Sequence, residues 1–140
     1  MSRASQVRTA AVALMRVTGV EEVFDGAPIA DMPPSPNVVL LGEQESRRVE
    51  NYRVFEIQTD FVFQIESRSG DASEAVRVAH EIFDRIESAV GADATLGLGA
   101  IGVQRAYITT KESDHGATLM GAAFVKFTLE VTYRRPVGTP

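Results

Sequence analysis

The chain has no cysteine and no tryptophan, and only two histidines, His80 and His115. Without cysteine there is no disulfide, no thiolate metal site and no cysteine nucleophile. His80 borders an apolar helical stripe, and His115 sits beside Asp114 in a predicted turn. Neither stands in a cluster with ligand spacing, so no metal site is predicted. No apolar run approaches the ~20 residues of a membrane span. The opening Met-Ser-Arg-Ala-Ser is polar, and Arg8 and Arg16 interrupt the short apolar stretch 10–14, so no signal peptide is expected. Positive charge is in the minority: 14 Lys and Arg face 19 Asp and Glu, a formal charge of −5. The arginines are scattered, which argues against a dedicated nucleic-acid surface. There is no Gly-x-Ser-x-Gly elbow and no serine placed to work with a histidine. The acidic pairs lie in polar stretches and read as solvated charge. No enzyme and no cofactor is predicted. One formal motif remains, the GxGxxG of Gly97-Leu-Gly-Ala-Ile-Gly102. It follows a predicted helix and runs into a predicted strand, the reverse of the context a dinucleotide site requires.

What the chain does have is alternation. From Arg53 to Ser67, Phe55, Ile57, Thr59, Phe61, Phe63 and Ile65 fall on one side, while Glu56, Gln58, Asp60, Gln64 and Glu66 fall on the other. Successive strand side chains point to opposite faces, so this is a long strand with one face buried and one wet. Such a length exceeds what one small domain covers, so a sheet edge near it is expected to stay unpaired. A second one-sided strand follows near the C-terminus, with Val125, Phe127, Leu129, Val131 and Tyr133 on its apolar face. The two are natural antiparallel companions.

Two helices accompany them. Val7, Ala10, Ala11, Leu14 and Thr18 trace a helical face within 2–17, with Ser2 or Ser5 as cap and Gly19 as stop. Ala75, Val78, Ala79, Ile82, Phe83, Ile86 and Val90 trace a cleaner one. Asp71 is its predicted N-cap, and Glu74 completes a near capping box. Asn37-Val-Val-Leu-Leu41 reads as a short buried strand, and Ile101–Thr110 as a strand with Ile101, Val103, Arg105 and Tyr107 on one face. Four of the six prolines fall in the loop 25–36. The charged stretch 43–52 has no burying period; it is expected to be a mobile loop or the tip of a long hairpin. Within it Arg47, Arg48, Glu50 and Tyr52 are the candidate subunit or partner contacts.

The predicted fold class is α+β, a mostly antiparallel sheet with two main helices packed on one face. One domain spans 1–135, followed by a flexible tail at 136–140. At 140 residues such a domain buries about two-thirds of the surface its unfolded chain exposes.

This order of segments resembles the tail terminator, or tail-completion, proteins of long-tailed bacteriophages and gene transfer agents. The resemblance rests on the helix with Ala10-Ala11-Val-Ala-Leu14, on Val23-Phe-Asp-Gly-Ala-Pro28, and on Pro36-Asn-Val-Val-Leu-Leu-Gly42. It continues through the long strand ending Ser67-Arg-Ser-Gly70, the helix from Ser73-Glu-Ala75 and the two closing strands. It implies a structural virion protein that forms a ring, generally of six copies, on the head-proximal end of the tail tube. The implied partners are the chain itself, the tail tube protein and head-completion or connector proteins. DNA would pass through such a ring without sequence-specific binding, and assembly would take place in the host cytoplasm. Two other readings fit the residues: another head–tail connector or minor capsid component, and a small-ligand-binding α+β domain.

Overall fold

The computed structural model describes residues 1–26, 33–114 and 121–139. Along the chain come helix α1 (Arg3–Leu14), strands β1 (Glu22–Asp25), β2 (Asn37–Asn51) and β3 (Val54–Arg68), helix α2 (Ala72–Ala92), and strands β4 (Val103–Asp114) and β5 (Ala122–Pro136). The five strands form one sheet in the order β1-β2-β3-β5-β4. Only the β1–β2 joint is parallel; every other pair is antiparallel. This is the expected α+β architecture.

The alternating run is the centre of the sheet. β3 pairs along its whole length with β2 on one side and β5 on the other. Phe61, Phe63 and Ile65 are aligned with Leu129, Phe127 and Val125, and all six are buried. They share one core with Val7, Ala11 and Met15 of the α1 region and with Ala79, Ile82, Phe83 and Ile86 of α2. Burying a side chain of this size contributes roughly 1.5–3 kcal/mol. The opposite face of the sheet carries Glu56, Gln58, Asp60, Gln64, Lys126 and Glu130, none of them fully buried.

Three local features refine the sequence reading. Of the two readings of the charged stretch, the structure has the end of a long hairpin and not the loop: β2 continues to Asn51, and Tyr52-Arg53 make a tight turn into β3. Its side chains bury nothing, and the β3 backbone ladder holds it extended. The Asn51 Oδ1 accepts from Arg53 N at 2.8 Å and Val54 N at 3.1 Å, closing the turn as asparagine commonly does. In β4, a bulge between Val103 and Arg105 turns Ala106 inward and leaves Arg105 and Tyr107 outside. An extra residue shifts the period of two by one, so the apolar face is Val103, Ala106 and Ile108. Glu112–Asp114, expected in a turn, belong to β4, and the rest of that expected turn lies outside the described residues.

Asp71 caps α2 as expected, its carboxylate accepting from Ser73 N at 2.9 Å. The reciprocal half of the capping box is absent. Asp71 N donates to Ser69 Oγ at 3.2 Å, and Glu74 instead pairs with Arg77. Asp71→Ala is therefore expected to lower stability by about 1 kcal/mol, read as a small drop in the urea midpoint with an unchanged slope. An unchanged midpoint would show that Ser69 or Ser73 caps the helix without it. On α1, the Ser2 side chain accepts from Ser5 N, and the helix stops at Leu14, short of the expected Gly19. Gly19 instead lies in the turn beyond, at φ +97°.

Candidate interaction surface

Among the described residues no strand pairs with the outer edge of β2 beyond Leu40. β1 pairs only with Asn37–Leu40, so the remainder of β2 joins β3 as a two-stranded arm with one bare edge. β4 closes the other side of the sheet and likewise has a strand partner on one side only. The Arg8 guanidinium of α1 bonds Asp25 at 2.5 Å and Glu43, at the start of the arm, at 3.1 Å. The Asp25 hydrogen bond, followed by the field of Glu43, raises its already high pKa.

The four candidate residues all lie on this arm, but strand alternation divides them. Arg47 is aligned with Ile57 on the helix-covered face and pairs with Glu45 at 2.8 Å. Arg48 is aligned with Glu56 on the open face and pairs with it at 3.5 Å. Glu50 bulges out of register and reaches across to β5, where its carboxylate accepts from Arg134 Nη2 at 2.8 Å and Nε at 3.1 Å. Tyr52 stands at the tip, 78% exposed, with the Arg53 guanidinium 5.0 Å from its ring centroid. Arg48, Glu56, Glu50 and Arg134 thus form one charged band across the open face, whereas Arg47 belongs to the other side.

The candidate set of four left out Glu56 and Arg134, which the structure brings beside it, and the edge of β4. Arg134 and Glu56 are directly opposite one another in the β3–β5 register, and only that register brings them together with Glu50. On β4, Arg105 lies 5.6 Å from the Tyr107 ring centroid, and Lys111 lies 4.3 Å from that of Phe83. Among the described residues neither cation has a carboxylate partner. The Tyr107 hydroxyl donates to Glu130 at 2.7 Å, and this bond to a carboxylate raises its pKa. Such exposed pairs contribute about 0–1 kcal/mol each and fix orientation more than stability.

The other motifs have structural roles. Gly97–Gly102 carries the chain from α2 through a single 3-10 turn into β4. At Gly102, φ is +100° and an added Cβ would lie 2.9 Å from the Arg134 carbonyl oxygen; close backbone approach requires this glycine. His80 lies half-buried on α2, and His115 is outside the described residues. Among the described residues no three His, Asp or Glu side chains are grouped to hold a metal, and no helix is long and apolar enough to cross a membrane. The sheet face beneath α2, where a ligand pocket was one expectation, is filled: Phe83 meets Phe127 edge-on at 5.5 Å, and Phe63 stacks on Phe127 at 5.6 Å. A depression of about 300 Å³ on the open face is lined by Gln64, Glu112, Asp114, Phe124 and Lys126.

Fold and surface together define an α+β domain built to present sheet edges and a charged two-stranded arm. No protein-family model matches the sequence, and no curated protein matches it. Among solved structures, the fold is similar to a chain of a structure described as the virion of a native gene transfer agent particle. The TM-score is 0.53 at 14% sequence identity, over 94% of this chain and 91% of that chain. At that identity the likeness is one of fold.

Proposed function

We propose that this chain is a structural virion protein of the tail-terminator type. Copies of it form a closed ring, six in number, on the head-proximal end of a tail tube, stop tube growth and offer a surface to head-completion proteins. The observation that carries the reading is the shared fold with a gene transfer agent virion chain across nearly the whole of both chains. The segment order of the sequence supports it independently, and so do the bare sheet edges of β2 and β4. Unpaired edges invite pairing with another chain, and identical subunits joined head to tail close into a ring when the rotation allows. In this reading Arg47, Arg48, Glu50 and Tyr52 meet a neighbouring subunit or the tube.

Light scattering across a concentration series, with and without tail tube protein, tests this, and electron microscopy of the product shows its shape. A ring, alone or on tube ends, is the expected result. Binding to head-completion proteins without any binding to the tube would move the chain to another connector role. A strict monomer in every condition would refute the ring.

A further inference from the structure

We propose that the subunit seam is an antiparallel pairing of the arm edge of β2, residues 41–51, with the β4 edge of a second copy, in one particular register. The inference deepens the ring reading and rests on it. Direction is the first support. β2 opposes β3, β3 opposes β5 and β5 opposes β4, so the two free edges run in opposite senses. Laying one beside the other continues the sheet in antiparallel fashion, the slightly more stable ladder. Length is the second. β1 occupies the edge of β2 only as far as Leu40, which leaves residues 41–51 with no strand partner on that edge among the described residues, and β4 spans 12 residues. The two open edges match nearly end for end.

Charge selects the register. Full overlap starts with Gly42 beside Asp114 of the second copy and skips the bulged residues Glu50 and Thr109. Glu45 then falls beside Lys111, Val49 beside Ala106, and the bulged Glu50 next to Arg105. Glu45 and Lys111 are aligned with Thr59 and Phe127, so both lie on the helix-covered face. Glu50 and Arg105 both lie toward the open face. The two β4 cations that have no carboxylate partner among the described residues of their own subunit, Arg105 and Lys111, each gain one. Val49, 61% exposed in the free subunit, gains an apolar neighbour. The unstaggered alternative, with Ser46 beside Arg105, gives Arg105 no acid opposite it and sets Lys111 against the part of β2 that β1 already covers. The favoured register displaces neighbours by four residues, roughly 13 Å along the strand at ~3.3 Å each. In a closed sheet such stagger is the counterpart of strands tilted to the ring axis.

Because the chain contains no cysteine, two introduced thiols are the only ones present. The double variant Glu45→Cys/Lys111→Cys, assembled in the conditions that give oligomers and then oxidised, is expected to give a ladder of disulfide-linked oligomers on a non-reducing gel. Ser46→Cys/Arg105→Cys, which reports the unstaggered register, is expected to give none. A disulfide needs Cα atoms roughly 4.4–6.8 Å apart, so the two pairs discriminate sharply. Independently, Glu45→Lys is expected to weaken association several-fold, and Glu45→Lys/Lys111→Glu to restore it, with unchanged circular dichroism in both. Oligomers that form normally while only the Ser46/Arg105 pair links, or while neither pair links, overturn this seam and leave the ring standing. Monomers in every condition, tube protein included, overturn both.

Discussion

Phe127→Ala is expected to destabilise the subunit by about 3–5 kcal/mol, the usual loss for deleting a fully buried phenylalanine ring. Phe127 is 1% exposed and sits where three elements converge. Its ring stacks on Phe63 of β3 at an interplanar angle of 22° and receives the edge of Phe83 of α2 at 69°. Removing it leaves a void bounded by two rigid rings that cannot both move in. Domains of this size are stable by only roughly 5–15 kcal/mol in total, so one substitution takes a large share. With a denaturation slope near ~2 kcal/mol/M, the urea midpoint should fall by roughly 2 M. Phe124→Ala provides the contrast. Phe124 lies three residues earlier on the open face, half-buried, and its loss should stay below ~1.5 kcal/mol. Equal losses at the two positions would contradict the assignment of faces along β5.

Gly121→Ala is the second large effect, and its cause is backbone geometry. Gly121 has φ +75°, a conformation that side chains with a Cβ adopt at a cost of roughly 1–2 kcal/mol. It also lies against the end of β3: Ser69 N donates to Gly121 O at 2.7 Å, and an added Cβ would lie only 2.2 Å from the Ser69 carbonyl oxygen. No rotation relieves a contact between two backbones. The start of β5 must separate from the end of β3, losing that hydrogen bond, for a total of about 2–4 kcal/mol. Gly138→Ala isolates the conformational part, since Gly138 has φ +82° with open space around it. Thermal unfolding of the two variants side by side reads the difference. If Gly138→Ala proves as damaging as Gly121→Ala, steric contact with Ser69 is not the cause.

The parts of this fold that were legible in the sequence are those where side chains carry the period. β3, β5 and α2 each bury one face along most of their length, so alternation or a helical stripe shows through. The arm half of β2 buries nothing, and no arrangement of its residues announces a strand; the β3 backbone opposite supplies the order. β4 failed differently. Its period is real, but the bulge at Val103/Arg105 reverses the phase, and a single extra residue exchanges inside for outside. The four candidate residues were read as one stretch, and the strand divides them. Arg47 and Arg48 are neighbours in sequence, and once the segment is a strand they must face opposite ways. The Glu50–Arg134 pair spans 84 residues of sequence, and nothing short of the strand order could have joined them.

The place of β5 in the sheet has a kinetic consequence. It lies between β3 and β4, yet it is the last strand of the five in chain order. Its partners on β3 stand between 122 − 68 = 54 and 136 − 54 = 82 residues earlier. Closing loops of that length lowers stability only logarithmically, but it slows folding, because entropy is lost before the distant contacts reward it. The β2–β3 hairpin is local and can zip on a microsecond scale, roughly 1–10 μs for a hairpin. During synthesis it emerges well ahead of β5, with the aromatic face of β3 still lacking its companion strand. The aromatic core closes only once Phe124–Tyr133 has inserted, so the nascent chain carries its stickiest surface uncovered for the interval in which the ribosome makes α2, β4 and β5. At about 5–20 residues per second that interval lasts several seconds, far longer than the hairpin takes to form.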